Sequence, residues 1–188
     1  MKYGLSNMMA LDLYLSSLNE NEYAQVSQKL NQNKKVQLPL MSWDIFSETR
    51  RRELEEAQRS QDILKVRSLA KRFGWENDMS SIFEQQQFEA ILITDINQNI
   101  IWVNQGFTTM TGYSKNEVLD KTPRLLQGIG TSNTSRNHIR TKLDEDVHFT
   151  EVIVNYRKNK TAYRCEVKIF PLRNNKTTHF IALERQVS

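Results

Sequence analysis

From Phe88 onward the chain alternates short apolar runs with polar breaks. Residues 90–94 and 100–103 are two β-branched runs flanking the polar Asp95-Ile96-Asn97-Gln98-Asn99, the spacing of strand, turn and strand. A helical stretch follows. Ser114-Lys115-Asn116-Glu117 after Gly112 has the form of a capping box, and a further helix is predicted from Ser132 to Leu143. Three longer strands are predicted at 149–156, 161–171 and 179–187. Two strands, then helices, then three strands describe an α+β fold: a five-stranded antiparallel sheet with flanking helices, preceded by an N-terminal helical extension.

The first 84 residues have a different texture. Asn19 followed by Glu22 predicts a capping box opening a helix through Leu30, and Pro39 marks a break. Ser42 or Asp44 is expected to cap a charged helix running to about Arg59. A separate helix is expected to open at Ser60, with Ile63, Val66, Ala70 and Phe73 at helical spacing and Gly74 as its stop. The expected divisions are a helical segment at 1–38, a helical extension or linker at 39–84, and a domain at 85–188. Helices with such narrow apolar stripes are marginal in water and need a surface to pack on.

The strands say where that surface lies. In Tyr163-Arg164-Cys165-Glu166-Val167-Lys168-Ile169 the odd positions are mostly apolar and the even ones charged, so one face is wet. Ala90-Ile91-Leu92-Ile93 and Phe180-Ile181-Ala182-Leu183 have no polar face, and strands of that kind are buried on both sides. The domain's own helices cover one face. The other needs the N-terminal helices, a second copy of the chain, or both. A homodimer through the N-terminal helices and the outer sheet face is expected.

Composition narrows the function classes. With 38% hydrophobic and 26% charged residues, the 188-residue chain has a globular mix. A single Cys excludes an internal disulfide framework and fits a reducing compartment. No apolar run is long enough to span a bilayer, and Asp12 interrupts the apolar start before any cleavage-site pattern, so a cytoplasmic protein without membrane contact is expected. The net charge of +4 lies wholly in 86–188, because 1–85 carry equal numbers of acids and bases. The run Arg50-Arg51-Arg52 sits among Glu48, Glu53, Glu55 and Glu56, at spacings that pair on a helix. It reads as a self-neutralised solvated face, and nucleic acid is not an expected partner.

Several separated motifs then resemble one family. Asn99-Ile100-Ile101-Trp102-Val103-Asn104, Phe107, Met110-Thr111-Gly112-Tyr113-Ser114 and Glu117 look like the opening of a PAS domain. Lys121-Thr122-Pro123-Arg124-Leu125-Leu126-Gln127-Gly128 resembles the G-x-N-C-R-F-L-Q-G signature of its flavin-binding LOV branch. Asn155-Tyr156-Arg157-Lys158 and His179-Phe180 continue the likeness, which covers residues 88–188. The resemblance implies a sensory fold with a ligand cavity. It also shows departures. The thiol that forms the LOV photo-adduct is replaced by Pro123, the Asn before it by Thr122, a later Asn by Cys165, and the Gln of the last strand by Glu184. Arg124, Gln127, Arg140 and Asn155 match residues that hold the ribityl chain, the phosphate or one ring edge.

The candidate cavity residues are therefore Arg124, Gln127, Arg140, Asn155, Cys165 and Glu184. Three lost neutral hydrogen bonds at ~1 kcal/mol each total roughly 3 kcal/mol, on the order of a hundredfold in affinity. An ionised Glu184 in an apolar cavity costs more unless it takes a proton or an arginine partner. No cofactor is expected; flavin (FMN) held without adduct chemistry is the alternative. Haem is not expected, although His138 falls in the helix where haem-binding relatives carry an iron ligand. No histidine, cysteine and carboxylate cluster has metal-ligand spacing, and no phosphate-binding loop or kinase signature is present, so no enzyme is expected. No output domain is expected after the last strand, and the expected protein is a standalone sensory and protein-interaction module with a signalling partner.

Overall fold

The computed structural model describes residues 18, 19, 21, 22, 41–84 and 86–187, with backbone alone for 41–46. The chain divides into two units, residues 1–54 and 55–188. In the first, Asn19 and Glu22 form the expected box: the Glu22 amide donates to Asn19 Oδ1 at 3.0 Å and the Asn19 amide to Glu22 Oε2 at 3.2 Å. The continuation of that helix to Leu30 and the break at Pro39 lie outside the described residues.

Helix α1 (Met41–Phe73) is continuous. The expected new start at Ser60 is thus corrected: no Pro or Gly occurs between 41 and 73, and one serine in a helix interior costs little. The stop is as expected. Gly74 adopts φ 67°, and Lys71 and Arg72 lie in the last turn, where cations suit the helix dipole. Helix α2 (Met79–Phe83) follows, its N-terminus capped by Asp78, which accepts from the Ser80 amide at 2.8 Å.

Strands β1 (Ala90–Asp95), β2 (Ile100–Val103), β3 (Phe149–Tyr156), β4 (Ala162–Asn174) and β5 (Lys176–Val187) form one antiparallel sheet in the order β2-β1-β5-β4-β3. β4 and β5 run further than the apolar pattern predicts. They continue past Pro171 through a bulge at Leu172 and Arg173, and turn tightly at Asn175 with φ 59°. Between β2 and β3 come α3 (Gln105–Thr111), α4 (Lys115–Val118), a 3-10 turn (Pro123–Leu126) and α5 (Asn133–Asp144). Asn104, Ser114 and Ser132 start α3, α4 and α5; at α4 the Glu117 carboxylate accepts from Ser114 N at 3.0 Å and Ser114 Oγ at 2.8 Å.

Two apolar cores lie on the two sides of the sheet. Leu92, Ile153, Val167 and Ala182 face the inner helices with Phe107, Met110 and Leu126. Ile91, Ile93, Ile181 and Leu183 face outward and are covered by Val66, Leu69 and Ala70 of α1 and by Ile82 and Phe83 of α2. The central strands are buried on both faces, as their two-sided apolar pattern requires, and the chain's own helices supply the outer cover. Each such Val, Leu, Ile, Met or Phe side chain contributes about 1.5–3 kcal/mol on burial.

Candidate ligand cavity

A cavity of about 290 Å³ lies between the inner face of the sheet and the wall made by the 3-10 turn and α5. The floor presents Leu92, Val167, Phe180, Ala182 and Glu184, while β3 adds Ile153 and Asn155. The helical wall presents Pro123, Arg124, Gln127, Arg136, Ile139 and Arg140.

Local sequence explains the wall. Proline at the first position starts the 3-10 turn with its φ already suited to it, which sets Arg124 and Gln127 one turn apart. Gly128 then lies flat on Tyr156: a Cβ there would stand 2.5 Å from the ring. The Tyr156 hydroxyl accepts from the Gly130 amide at 2.8 Å, and Thr131 Oγ1 donates to the Val154 carbonyl at 2.6 Å. Arg136 closes the arrangement by donating from Nη2 to the Gly128 carbonyl at 3.0 Å. The loop and the start of α5 are thereby tied to β3.

Five of the six sequence candidates line this one cavity: Arg124, Gln127, Arg140, Asn155 and Glu184. Cys165 lies in the core beside it rather than on its wall. Its thiol is fully buried, and burial, followed by the nearby Glu184 charge, pushes its pKa up, so it is held as an unreactive thiol. Arg136 escaped the sequence reading. Its signal was its place one turn before Arg140, on the same face of α5.

The floor carries the unusual group. Glu184 is 3% exposed, and its register partners Ala90 and Val167 are apolar. Its Oε2 is shielded from solvent with no hydrogen-bond partner, and no ion pair joins it to an arginine among the described residues. Burial pushes its pKa up to about 7. The Tyr163 phenol, also buried and unpartnered, is raised by burial and by the same carboxylate. The wall at Arg124, Gln127 and Arg140 fits the phosphate and ribityl end of a flavin. The floor does not fit its ring: Pro123 lines the cavity without a thiol, and a desolvated carboxyl stands where the LOV pattern has an amide.

His138 points elsewhere. It pairs with Glu151 at 2.6 Å on an exposed part of α5 and does not line the cavity. Among the described residues no group of three His, Cys, Asp or Glu side chains is placed to hold a metal ion, and no helix is long and apolar enough to cross a membrane.

The PAS domain family matches residues 89–187. A blue-light photoreceptor of Listeria innocua is 33% identical over 102 residues, covering 52% of this chain and 40% of that protein. Phototropin-1B of Oryza sativa subsp. japonica is 33% identical over 110 residues, covering 57% of this chain and 12% of that protein. The dark structure of the blue-light photoreceptor Aureochrome1 LOV superposes with a TM-score of 0.55 at 26% identity, covering 60% of this chain and 86% of that one. The chain spans less than half the length of the curated relatives it matches.

Proposed function

The chain belongs to the PAS domain family through residues 89–187, and on that footing we propose that it senses through its cavity and signals through α1, as a homodimer and without catalysis of its own. The sensory fold is the family's; the route of the signal is the proposal. One observation carries it. β1 and β5 alternate between the two cores, so Leu92 and Ala182 face the cavity while their neighbours Ile91, Ile93, Ile181 and Leu183 face α1 and α2. A shift of the sheet floor therefore moves the surface on which α1 rests, and a few kcal/mol of differential binding suffices to bias two packings.

The dimer is supported by α1 itself. Residues 47–58 are solvent-exposed, and Leu64 is 62% exposed on the stretch that packs on the sheet. A helix exposed over three turns gains stability by pairing with another surface. A second copy of α1 is the proposed partner, with a downstream signalling protein reading the pair. The cytoplasm, where Cys165 stays reduced, is the proposed location.

The proposed protein is colourless. At Glu184 and Pro123 the cavity lacks the groups that would grip a flavin ring, so the receptor works without flavin. Native mass spectrometry of the purified protein, with a visible absorption spectrum, tests this. A dimer mass without flavin and no blue absorption band is the expected result. A monomer carrying FMN would contradict both parts, and a dimer carrying FMN would favour the adduct-free flavin protein.

A further inference from the structure

We propose that the cavity selects a small organic anion with an apolar body and an N–H donor, the donor pairing with the Glu184 carboxyl. The inference rests on the cavity being the sensory pocket and names the class of ligand it takes.

Three observations converge on that chemistry. First, Glu184 is a polar residue more than nine-tenths buried that lines the cavity, with Oε2 unpartnered. When ionised, a carboxylate is acceptor-only, and what Oε2 then lacks is a donor. An unsatisfied buried acceptor costs more than a made bond returns, so a ligand that supplies the donor gains the difference. Second, Arg124 and Arg140 line the cavity, and neither guanidinium makes a hydrogen bond or ion pair among the described residues, whereas Arg136 is engaged with Gly128. Two uncommitted arginines favour a carboxylate or phosphate at the helical wall. Third, the surfaces between are apolar, with Leu92, Ile139, Ile153, Val167 and Phe180 around the space. The volume of about 290 Å³ is at the low end of small-molecule pockets, which favours a compact ligand.

Against the ionised carboxylate, which is acceptor-only, a ligand with an acceptor at the floor would find no donor; the protonated form, with its O–H, accepts such a ligand. Selection by the ionised form is thus for the donor and against its methylated or oxygen-bearing isostere, because mismatching a buried polar group is far more discriminating than a change of apolar size.

Titration calorimetry on the full chain at pH ~8, where the Glu184 carboxylate is mostly ionised, tests this with two probes, indole-3-acetate and its N-methyl analogue, which share the anion and ring and differ in the N–H. The expected result is about tenfold tighter binding of indole-3-acetate. Glu184→Leu should remove the preference, Glu184→Gln, which keeps an acceptor, should retain it in part, and Arg140→Ala should weaken both probes alike. Equal binding of the two probes, a preference that survives Glu184→Leu, or no binding of indole-3-acetate at millimolar concentration would overturn the proposal. Hydrogen exchange in α1, followed in the same samples, separates the two readings. Selective binding with unchanged α1 exchange defeats signalling through α1 alone, and failure of both probes defeats the ligand class alone.

Discussion

The buried Asp62 carboxylate of α1 accepts from Asn104 Nδ2 at 2.8 Å. Asn104 in turn accepts, through Oδ1, the Ile91 amide of β1 and the Phe107 amide of α3, each at 2.9 Å. One side chain therefore ties the outer helix, a central strand and the first inner helix together. Asp62→Ala leaves the Asn104 amide with only the Glu89 carbonyl at 3.4 Å, and should cost about 1–3 kcal/mol in urea unfolding. A variant as stable as the parent would show that this link is not holding the two layers.

Two titrating groups sit on opposite faces of β5 and act in opposite directions. Glu184, lifted by burial from 4.5 to about 7, keeps a proton in the folded chain that the unfolded chain has released. Its contribution to stability is present below pH 4.5 and is lost as pH rises towards about 7. His179 accepts from Trp75 Nε1 at 3.1 Å on the outer face and is held below its ordinary 6.5 by burial. Its contribution is present above 6.5 and is lost as pH falls below that value. Glu184→Gln should therefore stabilise the fold near pH ~8 by on the order of 3 kcal/mol or less, seen as a higher melting temperature, and change little near pH ~4. Equal shifts at both ends would contradict a carboxyl strained by burial.

The outer cover contributes strongly to stability. Leu69, buried against the sheet from α1, should cost about 2–5 kcal/mol when changed to Ala. Deleting residues 1–75 strips Val66, Leu69, Ala70 and Trp75 from the cluster around Ile91, Ile93, Ile181 and Leu183 and leaves them the shorter cover of α2, and should give a chain that aggregates or melts far lower. A soluble monomer of unchanged melting temperature would refute the cover.

Gly128→Ala tests the wall from the other side. Its added Cβ would meet the Tyr156 ring at 2.5 Å, so the loop must lift off β3 at a cost of about 1–3 kcal/mol. Gly128→Ala in a Tyr156→Ala background, where the ring is gone, should cost much less.

What the sequence revealed follows from periodicity. Alternation placed β2 and β3 to the residue, and the two-sided apolar runs of β1 and β5 foretold an outer cover before any helix was assigned to it. The longer ends of β4 and β5 were invisible because Arg173, Asn174, Lys176 and Thr177 pair in a polar hairpin with no apolar pattern. α2 is a five-residue helix, too short to show a period. Ser60 has the form of a start signal, yet a residue with N-cap preference inside a good helical context simply continues it. In the cavity, motif positions placed five residues on one wall or floor, while Arg136, engaged with a loop carbonyl, had no motif to reveal it. That Glu184 lies unpartnered could be known only once its neighbours were in place.

If the state of the cavity reaches α1 across the sheet, filling the cavity with Ile139→Phe should register in hydrogen exchange on the far side. Ile139 lines the cavity from α5, on the opposite side of the sheet from α1, and a larger side chain there fills the space without touching the outer core. Altered amide exchange in residues 62–73 of α1 relative to the parent chain is the expected result. A filled cavity with α1 exchange unchanged would contradict it.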